Sequence, residues 1–261
     1  MKRLFSLLLA LWLLILPVFA SGQSQIVLPA SDEDGAVCSD TPLGSYAADA
    51  VCQAAGTDLA LLPSDLLGIN LQPGEVTGEI LAQSLVRDET VYVVTLTPAD
   101  LKAILETAAS TLTLNEEESL DKEASAWGGF LQVAGIQVIY DVPAPVGSRV
   151  YEVALADDTE LDLTDDRTLL TAAVPASLLD GRYGYPALTP QQEAGTLRAM
   201  VLERIVREGI TQAPASRRIV LYGARQNEIV DFFPPGLVIM VVLIFAFFGG
   251  HKWRRAANFE R

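Results

Sequence analysis

Five aspartates fall close together at Asp157, Asp158, Asp162, Asp165 and Asp166. A pair of such carboxyls could do glycosidase-type acid and base work, and a ring of such oxygens could hold calcium. The spacing does not match an EF-hand loop. The stretch sits between alternating apolar runs, where Asp side chains bond their own backbone in turns, and it reads as solvated turn residues. The only histidine is His251, beyond the last apolar run. The stretch between the two apolar ends therefore offers neither a Ser-His-Asp triad nor histidine-ligated zinc. No glycine-rich phosphate loop of the P-loop type is visible. No catalytic residue, metal ligand or cofactor is assigned.

Cys38 and Cys52 are the only two cysteines. An even pair so close in sequence suits a disulfide in an oxidising compartment. Closing a loop of about 15 residues would stabilise the fold by roughly 3 kcal/mol. Two free thiols are the alternative.

The compartment is read from the chain ends. Met1-Lys2-Arg3 precedes an apolar run from Leu4 to Phe19, and Val18-Phe19-Ala20 fits a small-x-small cleavage site. Residues 1–20 read as a secretory signal peptide, with an uncleaved N-terminal anchor as the alternative. At the other end, residues 232–250 are long and apolar enough to cross ~30 Å of hydrocarbon. His251-Lys252-Trp253-Arg254-Arg255 follows at once. Basic residues beside a span favour the cytoplasmic side, and Trp suits the interface. The expectation is a single-pass protein of the cell membrane, its domain extracytoplasmic and residues 251–261 a cytoplasmic tail. A buried core helix is the other reading of the apolar run.

The 261 residues, half of them hydrophobic, leave room for one medium domain. A formal net charge of −15 argues against a phosphate-neutralising surface and so against nucleic acid as a partner. Residues 21–37 are polar and acidic and read as a linker. Leu43, Tyr46, Ala47, Ala50, Val51 and Ala54 have helical spacing, closed by Gly56. Asp58 to Leu62 is a short apolar strand, 79–86 a short amphipathic helix, and Thr90 to Leu96 a β-branched strand. Thr97-Pro98-Ala99-Asp100 starts a helix running to about Leu112. Residues 113–126 are a surface loop or a short helix. Ile136, Val138 and Tyr140 alternate with Gln137 and Ile139 in a strand, followed by strands at Val150–Leu155 and Arg167–Val174. Thr189-Pro190 is expected to open a helix through about Glu208, with Leu197, Met200, Val201 and Ile205 on one face. Arg217 to Tyr222 is a final strand, and 223–231 a tether.

The block Gly128-Gly129-Phe130-Leu131-Gln132-Val133-Ala134-Gly135-Ile136-Gln137-Val138-Ile139-Tyr140-Asp141, then a proline turn and Gly147-Ser148-Arg149-Val150, resembles a signature of the 5'-nucleotidase C-terminal domain. The helix and strand from Leu43 to Leu62 and the closing Arg218-Ile219 resemble the same family. The resemblance covers roughly residues 38–222. It implies an α+β fold of mixed sheets with packed helices, here with one C-terminal transmembrane helix. In that family the domain supplies nucleoside recognition, and a separate metallophosphatase domain supplies the metals.

Several substrate motifs depart from the family. Its Asn-x-Gly-Gly-x-Arg loop falls on Pro63, Ser64, Asp65, Leu66, Leu67 and Gly68. Its Pro-Phe-Gly-Asn falls on Val86, Arg87, Asp88 and Glu89. Its Gly-Gly-Asp-Gly-aromatic loop keeps Gly184-Tyr185, but the Asp is Tyr183. Phe130 matches one base-stacking aromatic and Ser177 stands in place of the other. The resemblance therefore implies a ligand site at Phe130, Tyr183 and Tyr185, unless Phe130 is a core strand residue. The expected function is a non-catalytic binding or interaction module anchored to the membrane. The alternative is the substrate-binding subunit of a nucleotide phosphohydrolase, assembled with a separate metallophosphatase chain. A third reading is a scaffold whose pocket is filled by side chains such as Leu66 and Leu67. Partners are thus the membrane, a nucleoside or nucleotide, and that second chain.

Overall fold

A computed structural model of the chain describes residues 26–28, 38–68, 74–76, 85–208 and 218–224. The expected signal peptide (1–20), transmembrane helix (232–250) and tail (251–261) lie outside them. So do most of the tether and nearly all of the helix expected at 79–86. Among the described residues, no helix is long and apolar enough to cross a membrane.

Ten strands are described. β1 (Ile26–Leu28) pairs antiparallel with β3 (Gly74–Val76). The central sheet has the order β5 (Leu131–Ala134), β2 (Leu59–Pro63), β8 (Leu170–Pro175), β4 (Thr90–Leu96), β9 (Pro190–Thr196). Only the β2–β8 pair is parallel. A second sheet runs β10 (Ile219–Tyr222), β6 (Ile136–Asp141), β7 (Val150–Leu155), with β10 parallel and β7 antiparallel to β6.

Two apolar cores form on opposite faces of the central sheet. Leu59 and Leu61 enter one, Ala60 and Leu62 the other, as the period of a strand requires. With both faces buried, β2 shows no polar alternation. The first core joins the central sheet to Ile136, Val138 and Tyr140 of the second sheet and to Leu101, Ile104 and Leu105 of α2 (Pro98–Ala108). The second core packs Tyr46, Ala47 and Val51 of α1 (Pro42–Ala55) beside Leu197, Met200 and Val201 of α5 (Leu197–Glu208). Two short helices, α3 (Lys122–Ser125) and α4 (Ala176–Leu179), are also described.

Local chemistry fixes several boundaries. The Thr41 side chain caps α1, Pro42 opens it, and Gly56 closes it at φ 65°. Thr97 and Asp100 form a reciprocal capping box on α2. That helix stops at Ala108, short of Leu112, and Arg149 binds the carbonyls of the turn that follows it. The guanidinium donates to the carbonyls of Ala109 (2.6 Å) and Leu112 (2.7 Å). The buried Glu106 carboxylate accepts from the Arg149 and Val150 amides, both at 2.9 Å. The Gly-Ser-Arg-Val stretch thus rivets the β6–β7 hairpin to α2.

The alternating strand from Ile136 is β6, and Leu131–Ala134 before it is a separate strand of the other sheet, divided from it at Gly135 (φ 78°), where a Cβ would run into the carbonyl oxygen of Asp58. Two expectations change. Residues 190–196 are strand, and the helix expected from Thr189 begins only at Leu197. β9 holds its shape by pairing with β4, which its own Pro-Gln-Gln-Glu-Ala-Gly-Thr does not announce. Finally, no disulfide joins Cys38 and Cys52. Cys38 is buried in the first core, while Cys52 packs against the second and its thiol donates to the Thr57 carbonyl at 3.1 Å. The sheet separates the two environments.

Gly135→Ala and Gly147→Ala should separate conformation from collision. Both glycines have positive φ, but a Cβ at 147 meets nothing within 4 Å. Urea unfolding should show a loss of about 1 kcal/mol for Gly147→Ala and a clearly larger one for Gly135→Ala. Equal losses would mean that the Asp58 carbonyl is not the constraint.

Candidate functional site

The three loops expected to carry ligand residues do converge. They are the turn after β2 (Pro63 to Gly68), the approach to β4 (Val86 to Glu89), and the loop after α4 (Asp180 to Tyr185). The Gly128–Phe130 segment borders them. The Asp65 amide donates to the Gly128 carbonyl at 2.9 Å, and the Ser64 amide and hydroxyl both donate to the Phe130 carbonyl at 2.8 Å. A Cβ on Gly128 would lie 2.8 Å from the Asp65 Cβ, so residue 128 must be glycine for the loops to meet.

At the junction is a closed polar triangle. The Asp65 carboxylate accepts from the Tyr183 hydroxyl (2.5 Å) and the Arg87 guanidinium (2.8 Å), and Arg87 also donates to the Tyr183 oxygen (2.9 Å). Glu89 adds a second acid 3.5 Å from Arg87 Nε and 3.8 Å from Arg182, and accepts from the Ser177 amide at 2.9 Å. Burial raises the Tyr183 pKa, and the hydrogen bond to Asp65 raises it further against the opposing pull of Arg87. For Arg87, burial works against its charge, but the hydrogen bond to Tyr183 and the charge of Asp65 outweigh it and its pKa rises. Two buried polar atoms beside Glu89, Arg87 Nε and Ser177 Oγ, lack a hydrogen-bond partner.

The aromatics divide between core and rim. Phe130 is fully buried in the first core. Its ring packs in that core. Tyr185 is 6 % exposed, and its hydroxyl donates to the Gly129 carbonyl at 2.7 Å. Trp127, immediately before the Gly-Gly-Phe block, stacks on Tyr185 (5.8 Å, 29°) and meets Tyr183 edge-on (6.1 Å, 85°). Of the three residues expected to bind ligand, only Tyr183 and Tyr185 come together, with Trp127 as the third ring. Leu66 and Leu67 are buried in the second core, at 0 % and 2 % exposure.

Sequence reasoning missed Trp127, and it read Asp65, Arg87 and Glu89 only as departures from family motifs. The available signal was that substitutions in two separate loops had introduced opposite charges together.

The aspartate-rich stretch does local work. Asp157 accepts from the Thr159 amide (3.1 Å), Asp162 from the amide and hydroxyl of Thr164 (3.0 and 2.7 Å), and Asp165 from the Arg167 amide (2.8 Å). Hydrogen bonds from Thr159, Thr164 and Thr168 hold the three carboxyls below the usual range. Among the described residues, no group of three or more His, Cys, Asp or Glu is placed to hold a metal ion.

The profile of the family described as 5'-nucleotidase, C-terminal domain, matches residues 22–190. No curated protein matches the chain in sequence. Among solved structures, a 5'-nucleotidase precursor from Thermus thermophilus is similar at TM-score 0.62 and 21 % identity, over 85 % of this chain and 44 % of that one. The NAD nucleotidase of Haemophilus influenzae gives 0.58 and 15 %, over 76 % and 38 %. The sulfate thiohydrolase SoxB of Thermus thermophilus gives 0.51 and 20 %, over 70 % and 32 %. These likenesses are of fold. The chain spans less than half the length of each of these proteins.

Tyr183 sets a pH dependence. Its folded pKa lies above the ordinary 10.0, so the stabilisation from the neutral phenol is complete below pH 10 and fades as pH rises through the folded value. The stability gap between the parent and Tyr183→Phe should be constant from pH 7 to 9, about 1–3 kcal/mol in favour of the parent, and should narrow above pH 10. A gap that widens there in denaturant titrations would contradict the assignment.

Proposed function

Because the chain belongs to the 5'-nucleotidase C-terminal domain family, we propose that it keeps that domain as a non-catalytic binding or interaction module, anchored to the membrane by residues 232–250 and facing outward. The observation that carries this reading is the Asp65–Arg87–Tyr183 triangle. Three loops that the family uses for ligand groups here satisfy one another. A nucleoside entering between them would break charge-assisted hydrogen bonds, each worth more than a neutral one, with no Asn or Arg at Pro63 and Gly68 to replace them. The absence of histidine before His251 agrees with a chain that supplies no histidine-ligated metal chemistry of its own.

One observation favours a second reading. The structures this chain resembles are more than twice as long as the part it matches, so a separate metallophosphatase chain could complete the assembly. Trp127 and Tyr183, both partly buried at the edge of the first core, would then be the surface on which substrate or that chain rests.

The test uses the full chain in detergent micelles with adenosine, AMP and UDP-glucose. A ligand at about 100 times its dissociation constant would stabilise the fold by ~2.7 kcal/mol, a shift of several degrees. The expected result is an unchanged Tm with all three and no phosphate release. A shift that disappears in Trp127→Ala would show that the triangle does not close the nucleoside site and would favour the second reading. Phosphate release carried by a metallophosphatase that co-purifies with the chain would establish the second.

A further inference from the structure

β10 runs parallel to β6, with Leu221 opposite Tyr140 and Tyr222 opposite Asp141. Both strands therefore head for the tip of the β6–β7 hairpin. The chain leaves the described structure there: the Val142 amide donates to the Tyr222 carbonyl at 3.1 Å, and a Cβ on Gly223 would lie 2.5 Å from Pro143 Cδ. The hairpin tip reads Val142-Pro143-Ala144-Pro145-Val146-Gly147-Ser148, seven residues without a charge in a chain of net charge −15. The flanking Arg149 is turned inward onto the Ala109 and Leu112 carbonyls just after α2.

Around this tip, large apolar and aromatic side chains stand in water. Val146 is 62 % exposed, Tyr151 70 % and Tyr222 66 %. Tyr151 lies at the irregularity where β7 pairs with the end of β6, and Tyr222 ends the opposite edge strand. The three-stranded sheet thus presents a tyrosine on each edge and a valine on the turn between them. Its other end is polar: Arg218 and Arg204 share Asp49 there, at 2.8 and 3.6 Å.

We infer that the hairpin tip with Val146, Tyr151 and Tyr222 is a membrane-contact rim that seats the domain on the neutral headgroups of the bilayer that anchors it. The inference rests on the anchored reading above. Residues 225–231 extend at most about 25 Å, so an apolar run beginning at 232 holds this end of the sheet near the surface. Tyrosine is favoured at such interfaces because its ring is apolar and its hydroxyl stays wet. An uncharged tip costs little to bring into the headgroup layer, whereas the acidic remainder of the chain favours water.

The test inserts the full chain into phosphatidylcholine vesicles and confirms anchoring by flotation after alkaline carbonate washing. Val146→Trp, Tyr151→Trp and the remote Val206→Trp are compared with the parent chain. Val206 is 85 % exposed on α5. With lipids brominated near the headgroup, the added emission of Val146→Trp and Tyr151→Trp should be blue-shifted and quenched, and that of Val206→Trp should not. A chain that floats but shows equal quenching at all three positions overturns the rim and leaves the anchor standing. A chain released by carbonate overturns both. A blue shift at 146 and 151 in the vesicles without quenching by the brominated lipid would assign the rim to a second copy of the chain and also overturn the proposal.

Discussion

The carbonyl oxygen of Asp58 lies where a side chain on residue 135 would have to be. Glycine is the residue that lets the backbone pass it at φ 78°. That single crossing lets one continuous stretch serve two sheets. Leu131–Ala134 pairs with β2, and Ile136–Asp141 swings away to pair with β7 and β10. The first core is the space between these sheets, filled by α2 and by Phe130. The loops of the candidate site are held at the far end of the same stretch, through the Ser64 and Asp65 bonds to the Phe130 and Gly128 carbonyls.

Side chains tie the layers together where strand pairing cannot. Gln132 is a polar residue with no exposed surface in an edge strand. Its oxygen accepts from the Thr41 amide (2.9 Å), and its amide donates to the Ser39 carbonyl (2.9 Å) and to Ser64 Oγ (3.1 Å). It fixes the start of α1 against the sheet and reaches the turn that carries Asp65. Gly44 must be glycine for the same reason, since a Cβ there would occupy the Gln132 side chain. Arg218 does the equivalent for the last strand, donating to the Val133 carbonyl (2.9 Å) and Asp49 (2.8 Å). Fully satisfied buried networks of this kind specify one arrangement, because breaking any member strands its partners.

How far the sequence could be read follows from the range of each signal. The stop of α1 at Gly56, the start of α2 at Thr97-Pro98, and β4 are written in contiguous residues, and the structure places them where they were read. The alternation of Ile136, Val138 and Tyr140 reports which face is buried. β9 is different: it is a strand because β4 lies beside it, and the helical periodicity ahead of Glu208 begins only at Leu197. Cys38 and Cys52 are close in sequence, but which core each sulfur joins is decided by the sheet between them. The site suffered most. Asp65, Arg87 and Tyr183 look like three independent losses, because their separations of 22, 96 and 118 residues hide that they are one substitution in space.

The pairing of β10 with β6 also sets an order of events. Ile219 meets Val138 across some eighty intervening residues, and parallel neighbours so distant in sequence close only after the loop entropy between them is overcome. Until Arg218 to Tyr222 emerge, β6 has one open edge and the Asp49 carboxylate lacks Arg218. The central sheet and both helices that cover its second core, α1 and α5, precede that segment in the chain. A chain folding as it is made from its N-terminus would therefore build its interior first and fasten the second sheet last. In the anchored reading proposed above, that final step falls immediately before residues 225–250, so the last strand to dock is also the one from which the chain continues toward its anchor.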